Sequence, residues 1–171
     1  PDELVLAAAA HGYGAIGVTD RNSLAGVVRV HGAAKKNGLR AAIGARLDFM
    51  DGTPSLLVYP TGRAAYGRLA RLLTTGQRRA PKGECHLTMG DLTAFSAGQI
   101  VIVIPPEILD DAFVRCLEKL RDVFRKRLYL ALSYGYRGDD KARLGKLSDL
   151  AAGIALGFRG DGAGVKNHRV V

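Results

Sequence analysis

Short aliphatic runs recur along this chain, and between them lie stretches whose apolar residues repeat at helical spacing. That alternation constrains the fold more than any single motif does. An apolar run bounded by turn residues reads as a buried strand, an amphipathic stretch reads as a helix packed on it, and their alternation builds an α/β sheet. Strands are expected at 15–19, 40–49, 55–59, 100–104, 128–132 and 154–157. Asp51-Gly52 lies between the second and third and is a hairpin signal, because both residue types tolerate the backbone that a tight turn needs.

Helices are expected in the intervals. In 1–11, Pro1 suits a first turn and Asp2 and Glu3 meet the positive end of the helix dipole, with Gly12 and Gly14 as the stop. A second helix is expected at 24–37, closed by Gly38, and a third from Thr61 to about residue 73, followed by a loop over 74–87. Thr88 caps a short helix, with Asp91 three residues on in a capping-box position. In 110–125, Phe113, Leu117, Leu120 and Phe124 fall on one face, and a last helix is expected at 139–152. Six strands with intervening helices imply a mostly parallel sheet, open or closed into a barrel, with any ligand on the loops at the carboxyl ends of the strands. The stretch 160–171, with glycines at 160, 162 and 164 and no periodicity, is expected to be a frayed end.

A length of 171 residues suits one domain with a proper core, and a hydrophobic fraction of 47% excludes a disordered chain. Aromatics make up only 6%, so that core is expected to consist of small aliphatic layers. No apolar run approaches the roughly 18 residues of a membrane span, so no membrane partner is expected. Pro1-Asp2-Glu3 has neither an initiator Met nor a basic-then-apolar leader pattern; the chain is expected to be cytoplasmic and cut from something longer. Cys85 and Cys116 have no CxxC partner and are expected to be reduced thiols. The net charge of +9 favours polyanionic partners, DNA backbone among them, because neutralised phosphates release counterions; a solvated basic surface is the alternative.

Few residues carry recognisable chemistry. Asp20, after the first strand, could ligate a metal, act as a general base, or cap the following helix. His11, His31, His86 and His168 form no HxH, HxxH or HExxH pattern, whereas a catalytic metal needs several donors converging on one point. None of Ser55, Ser96, Ser133 and Ser148 sits in a nucleophile elbow, and no phosphate-binding glycine loop is present. The most distinctive charge feature holds Arg63, Arg68, Arg71, Arg78, Arg79 and Lys82 with no acidic residue between them. Arg68, Arg71, Arg78, Arg79 and Lys82 could contact phosphates, form a solvated face, or dock against an acidic partner domain.

The segment Gly17-Val18-Thr19-Asp20-Arg21-Asn22-Ser23-Leu24-Ala25-Gly26 resembles the second motif of PHP domains, especially those of bacterial error-prone C-family DNA polymerases of the DNA polymerase III alpha-subunit type. Collinear matches follow at Ile43-Gly44-Ala45-Arg46-Leu47, Leu57-Val58-Tyr59-Pro60-Thr61, Ala65-Tyr66-Gly67-Arg68-Leu69, the run 78–85, Arg127-Leu128-Tyr129-Leu130-Ala131-Leu132 and the run 136–140. The resemblance covers roughly residues 1–156 and implies a PHP-type distorted βα barrel, incomplete at both ends, with 157–171 as a divergent tail. It also implies a place in lesion-bypass synthesis, as a structural part of a polymerase whose nucleotidyl transfer is carried out elsewhere with magnesium. PHP domains with intact metal clusters have a His after the Asp of the second motif and a Glu in the third; here Arg21 and Arg46 stand at those positions. The His-x-His motif would lie upstream of Pro1, and no late Asp-x-His is recognisable in 157–171. Asp20 is left as a possible relic ligand, so no catalytic residue, metal or cofactor is expected for this segment. Its expected partners are the remainder of the polymerase chain, with the DNA backbone as a further candidate. The alternatives are a metal-dependent phosphoesterase or 3′–5′ exonuclease, and a stand-alone basic nucleic-acid-binding module.

Overall fold

The computed structural model describes residues 2–136 and 138–156. Helix α1 (Asp2–Ala10) leads into β1 (Ala15–Arg21), α2 (Val27–Lys36), β2 (Arg40–Leu47) and β3 (Leu56–Pro60). After these come α3 (Arg63–Arg79), the short α4 (Met89–Ala94), β4 (Gln99–Val103) and α5 (Asp111–Phe124). A 3-10 turn (Arg125–Arg127), β5 (Leu128–Leu130) and α6 (Asp140–Leu156) complete the described chain. The strands form one sheet in chain order, with β1 and β5 at its edges.

The α/β class is as expected, but the strand directions are not mostly parallel. β1 pairs with β2 and β4 with β5 in parallel, whereas β3 is antiparallel to both its neighbours. The first reversal is the hairpin at Asp51-Gly52, where Gly52 takes φ +82°. The second arises because α3 and α4 return the chain to the end of the sheet it left. Thr61 donates to the Gly98 carbonyl from its amide at 2.9 Å and from its hydroxyl at 2.8 Å, clasping the exit of β3 to the entry of β4.

Two further expectations are corrected. Helix α3 continues to Arg79 rather than stopping near residue 73. Thr74 and Thr75 bond back to the Ala70 and Arg71 carbonyls, and Gly76 lets the Cys85 and Leu87 side chains approach the helix. The stretch at 154–156 is the end of α6, not the start of a strand; Ile154 packs on the main core, and a short apolar run does not reveal helix or strand by itself. Residue 157, the last of that expected strand, lies outside the described residues, as do His168 and the expected tail. The capping box at Thr88 and Asp91 and the α5 stripe of Phe113, Leu117, Leu120 and Phe124 are present as expected.

Residues of one parity along the strands, including Ala45, Leu47, Leu56, Val58, Val101 and Val103, are buried beneath helices in the main hydrophobic cluster. At the β1 end a smaller cluster joins Val5, Val30, Ala33, Ala34 and Leu39 to Ile16, Val18 and Ala41. Of the opposite parity, Leu57, Tyr59, Ile100, Ile102 and Tyr129 stay half-buried. Arg21 and Arg46 belong to that second face, at the carboxyl ends of β1 and β2.

Candidate functional site

The parallel register places Arg21 directly opposite Arg46. Two residues beyond Arg46 the chain presents Asp48, and both guanidinium groups converge on it. Arg21 Nε lies 2.9 Å from Asp48 Oδ2 and Arg46 Nε 3.1 Å from Oδ1. Arg46 Nη2 also donates to Ser55 Oγ at 3.1 Å, and the Ser55 hydroxyl donates to Asp48 Oδ1 at 2.5 Å. Burial pushes the Asp48 carboxyl up. The Ser55 and Arg46 hydrogen bonds and the charges of Arg46 and Arg21 more than offset it, and the group ionises below the usual carboxylate range.

Asn22 laces this cluster to its surroundings. Its amide donates to the Arg46 carbonyl at 2.8 Å, and its Oδ1 accepts from the Asp48 amide at 2.9 Å. Its Nδ2 reaches the Asp48 carbonyl at 3.3 Å and the Cys85 carbonyl at 3.5 Å. Asn22 does this at φ +47°, a left-handed conformation that Asn adopts more readily than most side chains.

Asp20 serves the backbone. Its Oδ2 accepts from the Gly26 amide at 2.6 Å, where α2 begins. A β-carbon on Gly26 would stand 2.7 Å from that oxygen, so a larger residue there would displace the Asp20 carboxylate. Asp20 lies within β1 rather than after it, and its carboxylate holds the N-cap residue Gly26 without itself capping α2.

The donor set does not fit the metal cluster of PHP relatives. Arg21 and Arg46 put cations at the strand ends, and arginine is neither deprotonated nor a ligand. The one carboxylate between them is consumed by two guanidiniums and a hydroxyl. Among the described residues no group of three or more His, Cys, Asp or Glu side chains is placed to hold a metal ion. His11 is exposed beside Tyr13, His31 is exposed on α2, and His86 lies 2.9 Å from Glu84 Oε2.

The basic segment divides into two groups. Arg68 Nε donates to the Ala97 carbonyl at 2.7 Å, holding the loop before β4. Arg79 forms a bidentate pair with Asp91 at 2.7 and 2.9 Å, so α3 is tied to the capping box of α4. That pair, together with the Thr88 bonds and against some burial, lowers the Asp91 pKa to about 2. Arg71, Arg78 and Lys82 are exposed and have no partner among the described residues. Lys82 lines an open cleft of about 690 Å³, which Arg21, Asn22 and Ser23 also line.

Sequence reasoning reached Arg21 and Arg46 but missed Asp48, Ser55 and Asn22 as their partners. The signal was available in the hairpin. A turn at Asp51-Gly52 with Leu47 opposite Leu56 brings Asp48 and Ser55 face to face at the open end of the ladder.

The α/β scaffold matches a known class. The sequence profile of the PHP domain matches residues 1–134, and the chain belongs to that family. Over 149 residues it is 54% identical to the error-prone DNA polymerase of Caulobacter vibrioides, and over 156 residues 46% identical to that of Rhodopseudomonas palustris. These alignments take in 87% and 88% of this chain, which spans only 14% of the length of either polymerase. A crystal structure described as that of a metal-dependent phosphoesterase from Bifidobacterium adolescentis shares the fold. It superposes with a TM-score of 0.63 at 14% identity, over 90% of this chain and 78% of that one. An amidohydrolase from Chromobacterium violaceum superposes with a TM-score of 0.55 at 15% identity, over 89% and 78%.

Proposed function

We propose that residues 1–156 act as a non-catalytic PHP domain within an error-prone DNA polymerase, supporting lesion-bypass synthesis whose nucleotidyl transfer and magnesium sites lie elsewhere in the polymerase. The observation that carries this reading is the Arg21–Asp48–Arg46 cluster. Two guanidiniums occupy the strand ends where a catalytic relative presents ligands, and they fasten β1, β2 and the hairpin to one another. The high identity to error-prone polymerases over most of the chain supports the setting. A cytoplasmic location follows from that setting. No helix among the described residues is long and apolar enough to cross a membrane.

In this reading the outer face of α3 docks against the remainder of the polymerase through Arg71 and Arg78, which have spare charge and no aromatic stacking platform beside them. Arg68 and Arg79 hold the domain together internally instead.

Metal analysis after equilibration with zinc and manganese tests the non-catalytic assignment, combined with an assay for release of nucleotides from an oligonucleotide 3′ end. The expected result is metal well below one equivalent and no release. Stoichiometric metal together with turnover, both lost in Asp20→Asn, would establish the phosphoesterase alternative.

A further inference from the structure

We infer that the end of the sheet opposite the arginine cluster binds the phosphates of an unpaired nucleic-acid strand, with Arg40, Arg63 and Arg125 as principal contacts. Strands β1, β2, β4 and β5 begin at this end, and β3 finishes there. The connections that cross it, 11–14, 37–39, 61–62, 95–98 and 125–127, contain no Asp or Glu. Around them stand the exposed cations Lys35, Lys36, Arg40, Arg63, Arg125 and Lys126. Their side chains have no hydrogen bond or ion pair among the described residues. Asp122, in the last turn of α5, is already held by Arg121 at 3.0 Å. The loops at the other end carry the acids instead, Asp48, Asp51, Glu84 and Asp110 among them.

Two of these cations occupy positions that folding disfavours. Arg63 opens α3, where the positive end of the helix dipole repels a cation. Arg125 takes φ +49° and ψ −120°, a backbone conformation that favours glycine. Neither side chain has an internal hydrogen bond or ion pair to offset that cost, whereas a bound phosphate would engage both. The negative end of α2 accounts for Lys35 and Lys36, but no such stabilisation accounts for Arg63.

Aromatic rings lie beside the cations. Tyr13, 64% exposed, precedes Gly14, whose carbonyl accepts from the Arg40 amide at 3.2 Å. Tyr66, 38% exposed, stands one helical turn after Arg63. Flat rings next to guanidiniums suit the exposed bases of an unpaired strand; a duplex keeps its bases stacked inside, and an acidic peptide has none. Four inter-strand steps of about 4.8 Å spread these groups over about 19 Å, the extent of several nucleotides rather than of one small anion. None of them belongs to the Arg21–Asp48–Arg46 cluster, so the surface stands whether or not the domain is catalytic.

Fluorescence anisotropy of a labelled oligothymidylate, titrated with the 171-residue chain over a series of salt concentrations, tests the inference. Arg40→Gln and Arg63→Gln should each weaken binding roughly threefold or more at low salt and lower the magnitude of the slope of log K against log salt by about 0.7. Arg125→Gly should weaken binding to the same extent while its thermal midpoint stays level or rises, because glycine relieves the backbone; that variant separates binding from stability. Tyr13→Ala should weaken binding without changing the slope, since stacking releases no counterion. Arg115→Gln, which removes an exposed cation midway along α5, should change neither affinity nor slope. Wild-type affinity and slope in the three arginine variants, an equal loss in Arg115→Gln, or no binding by the unaltered chain at low salt would overturn the surface. Wild-type binding by Tyr13→Ala, or tighter binding of a matched duplex, would overturn the unpaired-strand assignment. Tighter binding of poly-glutamate would overturn the nucleic-acid assignment. The metal and nuclease assays above report on the opposite end of the sheet, so the two failures are distinguishable.

Discussion

Around β3, β4, α3 and α5 the protein buries large side chains in a continuous cluster, Leu69, Leu72, Leu120 and Phe124 among them. Around β1 the packing rests on Val5, Val30, Ala33, Ala34 and Leu39 beneath α1 and α2. Because apolar stabilisation scales with area removed from water, the β1 end gains less from burial than the other end. That end is instead fastened by polar contacts: Asp20 to Gly26, Asn22 to Arg46 and Asp48, and the two arginines to one carboxylate. The difference teaches that the candidate site lies at the seam between a well-packed half and a lightly packed one. Exposed charge can be kept there because stability is supplied elsewhere.

The largest expected effect tests the packing contrast directly. Leu72→Ala should cost about 2–5 kcal/mol in chemical denaturation, and Val5→Ala, with fewer methyl groups to lose, about 1–2 kcal/mol. Equal losses would break the contrast. Gly44→Ala comes next, at about 1–3 kcal/mol, because its β-carbon would stand 2.7 Å from both Tyr59 Cδ1 and the Val58 carbonyl, and backbone cannot yield cheaply. Gly17→Ala meets only the Tyr59 hydroxyl at 3.2 Å and should cost less, by the same measurement.

Smaller effects sharpen the electrostatic half of the comparison. Asp48→Asn should cost about 1 kcal/mol, screened because Arg21 is well exposed, and the loss should shrink in high salt. Asp48 and Asp91 both have pKa values lowered by folding, so their contributions are fully present above the ordinary carboxylate pKa near 3.8 and are lost as pH falls through the folded values. For Asp91 that window runs from about 3.8 down to about 2. Acid titration by circular dichroism should therefore show a shallower loss over that range in Asp91→Asn than in the wild type. The smallest effect belongs to Arg71→Gln and Arg78→Gln, each within about 0.5 kcal/mol in thermal unfolding, since neither has an internal partner.

Much of this architecture is legible in the chain. Five strands, the hairpin, the Thr88 capping box and the α5 stripe follow from short-range patterns, because caps and periodicity depend on residues near one another in the chain. The length of α3 was not legible. Thr74-Thr75-Gly76 reads as a breaker, and only the closeness of Cys85 and Leu87 to Gly76 explains why a helix continues through it. The end of α6 was hidden for a related reason, since an apolar run serves helix and strand equally until its packing partner is known. At the site, Arg21 and Arg46 stood out as residue types, but their shared partner did not.

By itself the sequence determined the α/β class and the basic charge. It did so because composition, capping and apolar period are local properties of the chain. Only the tertiary structure decided that β3 runs against both its neighbours and that Arg68 and Arg79 are spent on internal contacts while Arg71, Arg78 and Lys82 are not. It also decided that Asp48 lies between Arg21 and Arg46. Each depends on groups from separate elements arriving within hydrogen-bond reach, and a guanidinium's role follows from which carboxylate or carbonyl the fold brings to about 3 Å of it.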